Sequence, residues 1–176
     1  MTAPQRILQN AYHVADIDEA IDRFHTLWGL GPFLVRRHIQ LAQVFYRGKP
    51  AALDISAAYV QAGDLQLELV MQHNAAPSAF RDAFAAHQEG FHHVAVMPAD
   101  YAATLAHYAA QGFPVVTELR TASGRGASYV DTRPLLGHMI EVYPPGPGLT
   151  ALYAQVARAA AEWDGRTLRV EVDPAG

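Results

Sequence analysis

The spacing of apolar positions changes twice in the same way along this chain. Alternation over residues 6–14 predicts a strand, after which Ala20, Ile21, Phe24, Leu27 and Trp28 recur at helical spacing behind Asp16, a residue suited to capping a first turn. Gly29 and Gly31-Pro32 end that helix. Strand patterns follow over about 33–46, 53–62 and 64–71, the last two joined at Gly63-Asp64, a tight hairpin signal. The stretch PSAFRDAFAAHQ, about 77–88, predicts a connecting helix with proline in its first turn and Gly90 at its end. The same order then returns: a strand at 91–97, a helix over about 99–111 closed by Gly112, and strands near 114–120, 126–131 and 137–143. Beyond the proline-rich PPGPG lie an alanine-rich helix, 149–163, and the short alternating run LRVEV, neither of which has a counterpart in the first half.

The repetition extends to the residues themselves. ILQNAYHVADIDEAI is echoed about eighty residues later by FHHVAVMPADYAATLAHY, and each copy closes on an apolar strand with one glutamate, Glu68 in LQLELV and Glu141 in HMIEVY. The expected fold class is α+β, two tandem βαβββ modules at about 5–75 and 90–145. The helix at about 77–88 connects them, and an extension over about 146–176 completes a single domain, 1–176. Period two puts Gln66, Glu68 and Val70 on one face of their strand, opposite Leu65, Leu67 and Leu69, and groups Met139 and Tyr143 with Glu141. A mid-strand charge between apolar neighbours is costly to bury unless it is paired or coordinated. Each module also brings a metal-capable residue on its first strand, Gln9 and His93.

Composition narrows the chemistry. With 51% hydrophobic and 17% charged residues, the chain has an ordinary core for a soluble globular protein, and a net charge of −4 gives no footprint for nucleic acid or an anionic membrane. The absence of cysteine excludes disulfides, thiolate ligands and cysteine nucleophiles, and leaves His, Asp, Glu and Gln for metal chemistry. No apolar run approaches the roughly 20 residues of a membrane span. The start MTAPQRIL lacks the features of a signal peptide, so a cytoplasmic protein is expected.

From LQLELV through PSAFRDAFAAHQEGFHHVAV to GHMIEVY, the chain resembles the vicinal oxygen chelate superfamily, which includes glyoxalase I, methylmalonyl-CoA epimerase, extradiol dioxygenases and bleomycin-resistance proteins. The resemblance covers about residues 6–144 and is nearest the epimerase and glyoxalase branches. It implies that the paired modules form a curved sheet around a central cavity with a divalent metal, held by Gln9, Glu68, His93 and Glu141. The family's helix-start pattern, here ADIDEAI, puts the first ligand seven residues before Asp16, at Gln9 rather than His13. In the pair His92-His93, the residue leading into HVAV matches the ligand position, which leaves His92, with His107 and His138, as sheet-face or surface residues. Trp28 and Phe33 are expected in the core. Phe45, Tyr46 and Tyr59 fall on strands that line the cavity in this superfamily, and His13, Asp54 and Arg125 complete the candidate substrate pocket.

Two carboxylates, one imidazole and one amide oxygen suit a single Zn, Mn, Fe, Co or Ni ion. The expected activity is a divalent-metal-dependent lyase or isomerase acting on a small carbonyl substrate through a metal-stabilised enolate, with Glu141 and Glu68 as the catalytic carboxylates. Departures from each relative bear on the substrate. Ala51 or Ala52 stands where the epimerase carries a second acid or base, and His13 where glyoxalase I carries an arginine. A single well-placed histidine fits an extradiol dioxygenase least. The competing reading is a metal-free protein that sequesters a small molecule. A homodimer is expected, with no nucleic-acid or membrane partner, and the C-terminal helix, with Leu152, Val156 and Ala159 on one face, is a candidate to cover a sheet edge.

Overall fold

The computed structural model describes residues 4–173. The first half runs β1 (Ile7–His13), α1 (Ile17–Trp28), β2 (Phe33–Arg36), β3 (Leu41–Tyr46), β4 (Lys49–Pro50), β5 (Ile55–Ala62), β6 (Leu65–Gln72) and α2 (Ala79–Ala83). The second half supplies β7 (Gly90–Val96), α3 (Tyr101–Ala110), β8 (Val115–Thr121), β9 (Gly126–Val130), α4 (Arg133–Leu136) and β10 (Met139–Val142), and the tail adds α5 (Pro147–Ala161) and β11 (Arg169–Glu171).

Helix α1 forms where its caps and its apolar stripe agree. The Asp16 carboxylate accepts from the backbone of Asp18 and Glu19, and Gly29, in the left-handed region at φ 67°, returns its N–H to the His25 carbonyl. Ile17, Ala20 and Ile21 are buried against Val60, Leu67 and Leu69. The stripe runs out at the last turn. Trp28 lies 51% exposed rather than in the core, held edge-on by Phe24, because the sheet face ends before the helix does.

All eleven strands join one curved, unclosed sheet in the order β11-β2-β5-β6-β1-β7-β10-β9-β8-β3-β4. Its centre is the antiparallel pair β1–β7. Each of these takes the last strand of its own module as a parallel neighbour, β6 beside β1 and β10 beside β7, and the antiparallel strands β5 and β9 follow. The repeat seen in the sequence is thus a repeat of topology about the β1–β7 seam.

Three expectations on the elements are corrected. The strand at 33–46 divides at His38, whose φ of 49° breaks the extended run: β2 pairs with β5 and β3 pairs with β8, at opposite ends of the sheet. Residues 37–40 therefore carry the chain from one end to the other. The connecting helix is confined to Ala79–Ala83, since Phe84 is already extended. Gly90 opens β7 instead of ending a helix, and the Phe84 ring lies 2.8 Å from where a Cβ would stand, so a side chain there would have to displace that ring. In the tail, the edge of β2 is taken by β11 in parallel pairing, while α5 lies against the sheet face, with Leu152 and Val156 on Leu34, Ala57 and Tyr59. A strand offers the hydrogen-bonding groups that an edge needs, whereas an apolar helix stripe satisfies a face.

Candidate metal centre

Pairing across the seam fixes which side chains meet. One cross-strand row runs Glu68–Ala11–His93–Met139, and the next runs Gln66–Gln9–Ala95–Glu141. Residues paired across a ladder share a face. Gln9, Glu68, His93 and Glu141 thus occupy one face of four neighbouring strands, with only the methyl groups of Ala11 and Ala95 between them. That leaves room for side chains to converge from both rows. Glu68, His93 and Glu141 do so, each buried, with ligand-capable atoms all within 4.8 Å of one another. His93 Nε2 lies 3.1 Å from Glu141 Oε2 and 3.4 Å from Glu68 Oε2. Gln9 is also buried, and its amide is hydrogen-bonded to Gln66 at 2.6 Å, which turns it toward the neighbouring strand.

The hydrogen bonds behind His93 determine what its inner nitrogen can do. The Ala79 carbonyl only accepts, so His92 Nε2 donates to it at 3.1 Å and His92 Nδ1 remains as an acceptor. His93 Nδ1, at 2.8 Å from His92 Nδ1, then carries the proton of that bond, and His93 Nε2 faces the two carboxylates. A neutral imidazole would there present a lone pair to two anions. Only a proton or a metal cation reconciles the three groups. Although burial works against its charge, Glu141 and Glu68 push the metal-free His93 up to about 9. Burial raises Glu68, with the Glu141 charge adding to it and His93 opposing. His93 Nε2, Glu141 Oε2 and Gln9 Oε1 are buried atoms without hydrogen-bond partners, and the set of donors suits a divalent ion of the Zn, Mn, Fe, Co or Ni type.

His92 is the residue that sequence reasoning placed least well. It is not a surface group: it is 1% exposed, packed on Phe80 with ring centroids 4.7 Å apart, and burial lowers it well below the ordinary histidine value. Two tyrosines were also missed as a pair. Tyr59 lies directly across the ladder from Glu68 and Tyr129 directly across from Glu141, so each module flanks its glutamate in the same way. Burial, and then the two carboxylates, raises Tyr129, which keeps its phenol protonated. The signal lay in the repeat, since both tyrosines sit on the strand preceding their glutamate.

The face opens into a small cavity of about 60 Å³. Glu68 and Glu141 lie in its lining with Tyr59, Tyr129 and Tyr143, apolar wall is supplied by residues such as Ile55 and Leu119, and α5 contributes Leu149 and Leu152. Arg36 and Arg125 also line it. Of the six pocket candidates, Tyr59 and Arg125 stand in this wall and four do not. His13 is stacked on Phe84 and bonded through Nδ1 to the Gln88 carbonyl at 2.8 Å. Phe45 is 36% exposed and absent from the lining, although Leu41 of the same strand β3 is part of it. Tyr46 donates to Asp82 at 2.7 Å, and Asp54 pairs with His38 at the surface.

Residues 8–130 match the sequence profile of the Glyoxalase/Bleomycin resistance protein/Dioxygenase superfamily. No curated protein matches the sequence. Among solved structures, the methylmalonyl-CoA epimerase of Mycobacterium tuberculosis is similar with a TM-score of 0.54 at 19% identity, over 86% of this chain and 97% of that one. A hypothetical protein from Bacillus halodurans C-125 gives 0.56 at 14% identity, over 82% and 96%. The methylmalonyl-CoA epimerase of Streptomyces coelicolor in complex with 2-nitronate-propionyl-CoA gives 0.56 at 18%, over 82% and 97%. At these identities the structural likeness speaks for the fold, and the profile match spans more than half of the chain: the protein belongs to the glyoxalase, bleomycin resistance and dioxygenase superfamily, whose architecture is the vicinal oxygen chelate fold.

Proposed function

We propose that this protein is a divalent-metal-dependent lyase or isomerase that removes a proton beside the carbonyl of a small substrate. The observation that carries the reading is the convergence of Glu68, His93 and Glu141, the two glutamates in the lining of one cavity, with the outer nitrogen of His93 committed to His92. These three residues would hold the ion, with Gln9 as a fourth ligand after rotation of its amide away from Gln66. A bound divalent ion supplies Lewis acidity, which polarises a carbonyl oxygen and acidifies the adjacent C–H.

The protein's own groups perform the remaining work. Glu141 is the base: it lies in the cavity wall, and its neighbours Tyr129 and Tyr143 stay protonated and do not compete for the proton. Glu68 on the opposite row serves as the second carboxylate. The apolar wall excludes water, and Arg125 orients an acidic group of the substrate. The low-identity epimerase neighbours lend this reaction type support.

The apolar contribution of Leu149 and Leu152 to the cavity favours one other reading, sequestration of a hydrophobic ligand without metal. Metal analysis separates the two. Purified protein dialysed against Zn, Mn, Co or Ni is expected to retain one ion in the central site. Folded protein that takes up no ion there refutes the enzyme reading.

A further inference from the structure

A second group of potential ligands lies outside the central site. His38 belongs to the 37–40 crossing, Asp54 immediately precedes β5, and His73 immediately follows β6, so three separate segments bring them together. His38 Nδ1 and Asp54 Oδ1 are 2.8 Å apart, the two imidazoles stack with centroids 4.2 Å apart, and ligand-capable atoms of all three lie within 4.8 Å of one another. Neighbouring ligands on one ion with bonds of about 2.0–2.1 Å stand roughly 3 Å apart, so coordination requires side-chain rotations that close these gaps and tilt the two stacked rings apart.

The surroundings are those of a supported site. Ser56 Oγ accepts the His38 backbone N–H at 3.0 Å and meets His73 Nε2 at 2.7 Å, tying both histidines to one oxygen. A histidine with one ring nitrogen held by oxygen presents the other as a ligand, the usual support for metal-bound imidazole. The His38 backbone adopts φ 49°, unusual for a residue with a side chain, and this conformation delivers the ring to the group. The neighbouring Arg37 is engaged by Asp18 and Glu171.

We propose that His38, Asp54 and His73 form a second metal site, for a first-row transition ion such as Zn²⁺ or Ni²⁺, that fastens the 37–40 crossing to the ends of β5 and β6. One carboxylate and two imidazoles leave coordination positions for water, and the site binds more weakly than the buried one. Its place gives it a role. Ile39 and Ile55, each next in sequence to one of these ligands, line the cavity, so an ion at the rim stiffens the cavity wall without touching the substrate.

The site is independent of the central one, and its test keeps the two apart. Equilibrium dialysis of the full chain against Zn²⁺, followed by elemental analysis, is expected to show two ions per chain. The double variant His38→Ala/His73→Ala should lose one and keep the central ion, and Asp54→Asn should weaken the rim site at least tenfold. Circular dichroism checks that each variant is folded. Zn²⁺ should also slow proteolysis within 37–40 in the wild type and in Glu141→Gln, but not in the double variant. A double variant that binds as much Zn²⁺ as the wild type overturns the proposal, as does a single wild-type ion that the double variant retains. A single ion lost in the double variant would uphold the rim site and refute the central one.

Discussion

Glu141 and His13 show how differently two buried polar residues of one sheet face can be used. Glu141 meets His93 at 3.1 Å beside the cavity, so Glu141→Gln keeps the shape but removes a charge and the proposed base. Turnover should fall by about 10² to 10⁴, the usual cost of losing a general base, with weaker metal retention. His13 is anchored to the Gln88 carbonyl and to Phe84, so His13→Ala should leave metal content unchanged and lower stability by about 1–3 kcal/mol, measured by denaturant titration. His92 acts through His93. Replacing it by Phe fills the space beside Phe80 but removes the acceptor that holds the His93 Nδ1 proton, and metal affinity should drop about 10- to 100-fold in a chelator competition. Unchanged affinity would show that the His93 tautomer needs no such support. The role of His92 was hidden in the sequence because its partner is the Ala79 carbonyl, thirteen positions away on a segment with no ligand pattern of its own.

Among the elements, α5 couples the tail to the site. Leu152 is buried both against Tyr59 and in the cavity wall, and Leu152→Ala should cost about 2–5 kcal/mol in chemical denaturation while leaving the proposed metal ligands in place. Loss of the metal in that variant would mean that α5 supports the ligands themselves. Local pattern served best where an element is held by its own caps and stripe. For α1, Asp16 and Gly29 mark both ends. It served least for 33–46, where β-propensity continues across His38 but the two strands pair with partners about 25 and 75 residues away in sequence, β5 and β8.

At the scale of the whole molecule, the two modules meet within one chain, and His93 and Glu141 from the second reach Glu68 from the first without a partner subunit. The expected homodimer would add no ligand, so metal content per chain should not change on dilution through any dimer–monomer transition followed by light scattering. The buried charges also make the metal-free protein sensitive to alkali. His93 is raised above its unfolded value, so its contribution is fully present below about 6.5 and is lost as pH rises through about 9. Glu68 is raised as well, and its contribution likewise declines as pH rises through its folded value. Metal-free protein should therefore melt at a lower temperature at pH 9.5 than at pH 7, and bound metal should remove most of that difference. If His93 is a ligand as proposed, an ion must displace its proton, and apparent metal affinity should fall about tenfold for each pH unit below about 9. Calorimetric titration in buffers of different ionisation enthalpy would detect the released proton.

The repeat, the β-α-β-β-β order and the identity of the two strand glutamates follow from the sequence, because period, caps and hairpin signals act over a few residues and recur in both halves. The same alternation told which face each glutamate shares. That the faces coincide is a matter of register across β1–β7, where Ala11 and Ala95 leave space between the four candidate ligands, and register arises from pairing between strands about eighty residues apart. The cavity likewise required the tertiary structure. Its walls come from β2, β3, β5, β6, β8, β9, β10 and α5 together, and none of these segments encloses a volume alone. Local rules set which elements form. The closing of long loops by strand pairing and face burial set which side chains meet, and so brought Arg125 and Tyr59 to the wall while it drew Phe45, Tyr46, His13 and Asp54 elsewhere.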